Sequence, residues 1–211
     1  LGCKQGVSSG IDWFFDNEEQ GIILEDDCVP HLDFFTFCEN MLDHYSKDQR
    51  IAVITGNNFQ NNKRRGDGSY YFSKYNHCWG WASWRRAWNH YEGDLAFWPK
   101  WSTTNLWHNQ TPDKVERQYW ENIFNAAYNN KINSWAYPWT ASVWYNGGLT
   151  ITPNVNLVNN IGFGEMATHT SVKKDINNKM LVKKLNNIKH PKKIVTDSEA
   201  DLWVFNHHYE G

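Results

Sequence analysis

The chain has 211 residues, a formal net charge of -2 and a pI ≈ 6.5, enough length to bury a substantial core in one domain of α/β size. That balance offers no excess positive charge to steer the protein toward nucleic acid or an anionic membrane. No apolar run approaches the ~18 to 20 residues that span a bilayer, and Cys3, Cys28, Cys38 and Cys78 lack the CxxC spacing of a zinc site or a dense disulfide framework.

Val7, Ile11, Phe14 and Phe15 fall at helical spacing and predict a helix over residues 3–16, followed by a turn at 17–21. Next come Ile22-Ile23-Leu24 and, abruptly, Glu25-Asp26-Asp27. An apolar run that ends in acids predicts a buried strand delivering carboxylates to the rim of a sheet, where open α/β sheets bind ligands. Adjacent carboxylates raise one another's proton affinity unless hydrogen-bond donors or a cation sit among them, and a hard divalent ion with oxygen ligands answers that need. A solvated acidic turn or a helix N-terminus accounts for the triplet equally well, because Pro30 and Asp33 suit a first helical turn.

Phe34, Phe35, Cys38, Met41, Leu42 and Tyr45 mark the face of a second helix, and residues 51–56 form a short apolar strand ending at Gly56. Residues 57–69 read as a polar loop. Beyond the aromatic run 70–75 lies Cys78-Trp79-Gly80-Trp81-Ala82-Ser83-Trp84-Arg85, in which Ser83 is placed to cap a helix bearing Trp84 and Trp88 one turn apart. Gly80 between two tryptophans suits either the close approach of a ligand or tight packing. Asp113 opens a long helix with Val115, Tyr119, Trp120, Ile123, Phe124 and Ala127 on one face and Glu116, Arg117 and Glu121 off it. Residues 134–144 alternate large with small side chains as a half-buried strand would, Asn146-Gly147-Gly148 reads as a hairpin turn, and 149–153 as the returning strand. A glycine-rich loop covers 159–170, and lysine- and asparagine-rich residues 171–211 are expected to wrap the outside.

The sequence shows neither an internal repeat nor a splitting linker, so a single domain over 1–211 is expected. Alternation of helix and strand predicts an α/β fold with a mixed, mainly parallel sheet flanked by helices. The chain opens in what reads as the middle of a fold, which suggests a fragment. With 13 Trp, 10 Tyr and 11 Phe against a mean hydropathy of -0.73, the rings suit a cleft that stacks on sugars, although filling a core explains most of them. Scattered thiols fit a reducing compartment, so a cytoplasmic protein is expected, free or membrane-associated, with no transmembrane segment in this span.

Several stretches together resemble a family. They are Ile22-Ile23-Leu24-Glu25-Asp26-Asp27 with Pro30, Phe34 and Phe35; Cys78 to Arg85 as written above; Asn156-Leu157-Val158-Asn159-Asn160-Ile161-Gly162-Phe163-Gly164; and Ala167-Thr168-His169-Thr170. The combination resembles GT-A type glycosyltransferases, in particular bacterial nucleotide-diphospho-sugar transferases labelled hemolytic-protein-like. Its acidic strand end is similar to that of the N-acetylglucosaminyltransferases that start complex N-glycans.

The resemblance implies a metal-dependent enzyme that moves a sugar from a nucleotide-diphosphate donor to a glycan or lipid-linked acceptor, with inversion. It implies that Asp27 binds Mn²⁺ or Mg²⁺ while Glu25 and Asp26 hold sugar or ribose hydroxyls or metal-bound water. His169 is then a further ligand, with His207 and His208 as second choices folding over the diphosphate. Trp79 and Trp81 form a sugar wall around Gly80, and Arg85 or Arg86 meets a phosphate. Glu121 is the acceptor-side base, with Asp113 and Glu116 in reserve. It also implies that the nucleotide-binding units, which precede the metal-binding strand in such folds, are truncated here. A carbohydrate-binding module with structural calcium is the alternative from another class, and a metal-dependent hydrolase a third reading.

Overall fold

The computed structural model describes residues 2–162 and 181–209. Phe163, Gly164, Ala167, Thr168, His169 and Thr170, which carried part of the resemblance, lie outside the described residues. The chain divides into two compact units, Leu1–Gln20 with Trp84–Gly148, and Gly21–Ser83 with Leu149–Gly211.

The second unit is built on a five-stranded sheet in the order β1-β5-β3-β6-β4. Its strands are β1 (Gln20–Ile23), β3 (Ile51–Thr55), β4 (Tyr70–Ser73), β5 (Trp81–Trp84) and β6 (Leu149–Pro153), while β2 (Cys28–Pro30) and β7 (Val158–Asn160) form a separate two-stranded ribbon. Every residue of β3 is buried, as an unbroken apolar run predicts for a central strand. By contrast β1, expected to be buried, is a half-exposed edge strand: Ile22 and Ile23 are half-buried and Leu24 is exposed.

The expectation of a mainly parallel sheet is corrected. β3 pairs in parallel with β6, but β3·β5 and β4·β6 are antiparallel. Parallel neighbours need a crossover of a dozen or more residues, usually helical. No helix separates β3 from β4 or β4 from β5, and the early alternation misled because β5 lies between β1 and β3.

Helix α2 (Leu32–His44) packs on β3 through Phe34, Phe37, Cys38, Met41 and Leu42. Each such burial contributes roughly 1.5–3 kcal/mol for the larger side chains. His31 caps the helix, its Nδ1 accepting the Asp33 N–H at 3.1 Å. Phe35, expected on the inner face, is 38% exposed. The late segment 181–195 has no regular structure except a bridge at its end, where Thr196 pairs with Phe72. It is tied to the sheet unit by backbone bonds such as Ser69 N–H to Lys189 O at 2.7 Å and Lys183 N–H to Asn156 O at 2.9 Å. Helix α8 (Ser198–Val204) follows, capped by Asp197.

The first unit is helical: α1 (Cys3–Asn17), α3 (Arg85–Trp88), α4 (Trp98–Trp101), α5 (Asn105–Gln110), α6 (Lys114–Tyr128) and α7 (Ala136–Tyr145). Ser83 does not cap α3. It lies inside β5 and its hydroxyl donates to Ala52 O at 2.7 Å. Residues 136–145 are a helix, not the expected strand. Pro138 through Trp144 are all buried, so no amphipathic period shows and the large-small alternation carried no information about the backbone. The supposed hairpin turn is that helix's stop: Gly147 takes φ +67°, its N–H reaching Trp144 O at 3.1 Å while Gly148 N–H reaches Val143 O at 2.8 Å. Those two bonds satisfy carbonyls that a helix end leaves free.

On α6 the buried stripe is Glu116, Trp120, Phe124 and Ala127, turned from the predicted one so that Val115 is 55% exposed. Trp98, Trp101, Trp107, Trp120 and Trp144 form the core here. Of the chain's tryptophans only Trp13 is exposed and only Trp79 and Trp203 are half-buried, so the aromatic richness is mostly core packing. Among the described residues no helix is long and apolar enough to cross a membrane.

Candidate functional site

The acidic triplet closes a tight turn between β1 and β2, with Cys28 N–H donating to Glu25 O at 3.1 Å. Asp26 stands exposed at its tip, while Glu25 and Asp27 are half-buried. The register of β2 on β7 then fixes what surrounds Asp27. Cys28 faces Asn160, Val29 faces Asn159, and Ile161 N–H donates to Asp27 O at 2.8 Å. Because side chains alternate across a ribbon, Asp27 shares its face with Val29 and Ile161, which are 46% and 60% exposed, while Val158 and Asn160 are buried on the other.

The ribbon is held in place by asparagines and backbone groups. Asn156 Oδ1 accepts the Asn58 N–H at 3.1 Å, and Asn58 Nδ2 donates to Pro153 O at 2.6 Å. Leu157 N–H donates to Gly56 O and His31 N–H to Leu157 O, both at 2.8 Å. Gly80, with φ +76°, abuts Val158 and Leu24 so closely that a Cβ would lie 2.8 Å and 3.1 Å from them. It therefore acts as a packing glycine, the more ordinary of its two sequence readings.

Among the described residues the Asp27 carboxylate makes one side-chain bond, from the Cys28 thiol to Oδ1 at 3.5 Å, and no Lys, Arg or His forms an ion pair with it. Burial pushes the Cys28 thiol up to about 12, with the charges of Asp27 and Glu25 adding to the rise. The Cys78 thiol is raised by burial first, then by Glu25, Cys28 and Asp27. Both thiols therefore stay protonated beside the carboxylates. Among the described residues no group of three or more His, Cys, Asp or Glu side chains is arranged to hold a metal ion. The donor set fits a hard cation as one or two carboxylates with water completing the shell, phosphate oxygens replacing some of that water when a diphosphate is bound.

Next to this turn Trp79 meets Phe59 and His208 edge-on, at 5.5 Å and 6.1 Å between ring centroids. Trp81 is 1% exposed and paired opposite Thr55, so it belongs to the core and offers no ring to a sugar. His208 sits in a π-helical turn (Phe205–Tyr209), stacked on Phe59 at 3.8 Å and 5.6 Å from His77. Burial lowers His208 to about 4, and burial followed by the neighbouring His208 holds His77 well below its ordinary range. His207 is exposed and stacks on Trp203.

The remaining predicted residues belong to the helical unit. Glu121 accepts the Trp107 indole N–H on Oε1 at 2.9 Å. Asp113 caps α6 through Val115 and Glu116 N–H, both at 2.9 Å, and Glu116 is buried. Arg85 anchors the end of α1, its Nε donating to Phe15 O and its backbone N–H to Glu19 O, and Arg86 stacks over Trp84 at 4.3 Å. His169 lies outside the described residues. Sequence reasoning missed Cys28, His77 and Gly162 as neighbours of predicted site residues. Only the glycine in Asn-Ile-Gly offered a signal.

The class so defined is an α/β protein whose mixed sheet carries an acidic turn braced by a second ribbon. Neither a protein-family model nor a curated protein matches the chain.

Proposed function

We propose that this chain carries the metal site of a GT-A type glycosyltransferase, transferring a sugar from a nucleotide diphosphate to a glycan or lipid-linked acceptor with inversion. One observation supports this most: Asp27 holds a half-buried carboxylate at a strand-end turn where, among the described residues, a thiol is its one side-chain partner and no Lys, Arg or His forms an ion pair with it. A partly desolvated anion left without a counter-charge is costly unless a cation completes it.

Asp27 would hold Mn²⁺ or Mg²⁺, with Glu25 and Asp26 turned to hydroxyls or bound water. The ion supplies Lewis-acid stabilisation of the charge left on a departing diphosphate. Trp79 presents a half-buried ring to the sugar, and Arg85, of the helical unit, is the phosphate partner that the sequence resemblance implies, with guanidinium nitrogens beyond Nε. Glu121, which belongs to the helical unit, is the acceptor-side base that the sequence resemblance implies, its Oε2 remaining when Oε1 is bound to Trp107.

The test is Asp27→Ala in the complete protein, assayed for Mn²⁺-dependent donor hydrolysis and transfer. Loss of about 1,000-fold or more is expected, on the scale of a lost electrostatic group at the reacting charge, while thermal stability hardly moves. Transfer at the wild-type rate would return Asp27 to a surface turn, and binding of glycans without any donor turnover by the wild type would favour a carbohydrate-binding module.

A further inference from the structure

Gly162 follows the ribbon strand β7, and its N–H donates to Asn160 Oδ1 at 2.7 Å, a side-chain turn that locks the residue just past the strand. With Ile161 N–H bound to Asp27 O at 2.8 Å, the backbone at 162 is pressed against the acidic turn. A Cβ there would overlap Asp27 Oδ2 and lie 3.0 Å from both the Cβ and the Cγ of that residue.

The backbone conformation does not require glycine at this place. Gly66, Gly80 and Gly147 take positive φ, whereas Gly162 does not, so an L-residue meets no conformational penalty of handedness. What remains is space. Glycine leaves a slot that the Asp27 carboxylate fills, with Oδ2 over the Gly162 backbone and Oδ1 on the Cys28 thiol at 3.5 Å.

We propose that Gly162 is a positioning residue for Asp27, its absent side chain leaving the one slot in which the carboxylate is aimed at an incoming divalent cation. The proposal rests on the reading of Asp27 as the cation ligand. A methyl group at 162 forces Asp27 into another rotamer and swings its oxygens away, and small cations tolerate little departure from their ligand geometry.

Two measurements separate this idea from the reading beneath it. Mn²⁺ alone is titrated against the complete protein and free Mn²⁺ is followed by electron paramagnetic resonance. Gly162→Ala is expected to weaken binding about tenfold or more, on the scale of disturbing a supporting group around a metal ligand, and Asp27→Gly to abolish it. A Gly162→Ala variant that binds Mn²⁺ within about twofold of wild type overturns the positioning role. If the wild type binds no Mn²⁺, or Asp27→Gly binds as the wild type does, the cation reading itself falls, and the positioning role toward a cation falls with it.

The steric contact is judged without metal, by a thermal double-mutant cycle. Gly162→Ala should lower Tm by about 4 °C or more when Asp27 is present and by less than about 1 °C in the Asp27→Gly background. Equal losses in both backgrounds overturn the clamp. Should Gly162→Ala fail to fold, recovery of folding in the Asp27→Gly/Gly162→Ala double variant supports the clamp, and failure of the double variant overturns it.

Discussion

Carboxylates in the helical unit and in the acidic turn have opposite fates. In the helices they serve the tryptophan core: Asp12 accepts the Trp88 indole N–H at 2.7 Å, Glu121 that of Trp107 at 2.9 Å, and Asp113 caps α6. At the turn Asp26 stands in solvent, and among the described residues the Asp27 carboxylate accepts a side-chain bond from a thiol alone. Buried indoles seek acceptors, and an acid that supplies one has a packing role. Among the described residues Asp27 has no packing role of this kind.

The largest expected effect falls on the packing side of this contrast. Trp120, 1% exposed, sits 5.1 Å from Trp144 and 5.4 Å from Phe124 between ring centroids. Trp120→Ala should cost about 3–5 kcal/mol in urea unfolding, against a change under about 1 kcal/mol for Asp27→Ala, which removes a half-buried carboxylate whose side-chain bond among the described residues is a weak one from a thiol. Comparable losses from the two would break the distinction.

Glu121 straddles it, being both a partner of Trp107 and the proposed base. Glu121→Gln keeps an Oε1 acceptor for the indole, so unfolding should scarcely move, while turnover should fall about 100-fold with donor affinity retained. Unchanged turnover would leave Glu121 a packing residue like Asp12.

The smallest effect concerns the imidazoles beside Trp79. His208 is neutral in the fold, its affinity for protons lowered to about 4 from an ordinary 6.5. Below pH 6.5 the unfolded chain binds a proton that the folded one refuses, so stability is full above that value and is lost as pH falls toward 4. Urea unfolding should lose on the order of 2 kcal/mol across that window. His208→Phe should flatten the slope, and a slope that survives the substitution would assign it to His77, which burial holds down as well.

Much of the fold was legible where one face of an element is buried and the other wet. The α1, α2 and α6 helices, the β3 core strand and β6 appear close to their predicted places because periodicity reports a half-buried surface. Residues 136–145 failed because burial on all sides erases the period, and the strand directions failed because β5 slips between β1 and β3, a pairing no local pattern carries. At the site, the acidic turn was readable from an apolar run cut short by charge. Its bracing was not, since Cys28 meets Asn160 and Asp27 meets Gly162 across most of the chain's length. Trp81 misled for a related reason: a flat ring beside glycine looks the same in sequence whether it faces a sugar or fills a core.

The parallel pairing of β3 with β6 also sets a timetable for the chain as it is made. β6 begins at Leu149, and residues 85–148, which form most of the helical unit, are interposed between it and β5. The central strand thus lacks one of its two neighbours until the whole helical insertion has left the ribosome, and its apolar edge waits that long for cover. Sheets closed by such distant partners form slowly and are exposed to mispairing meanwhile. Cutting the chain anywhere within the insertion should therefore leave an aggregating product, not a smaller folded one.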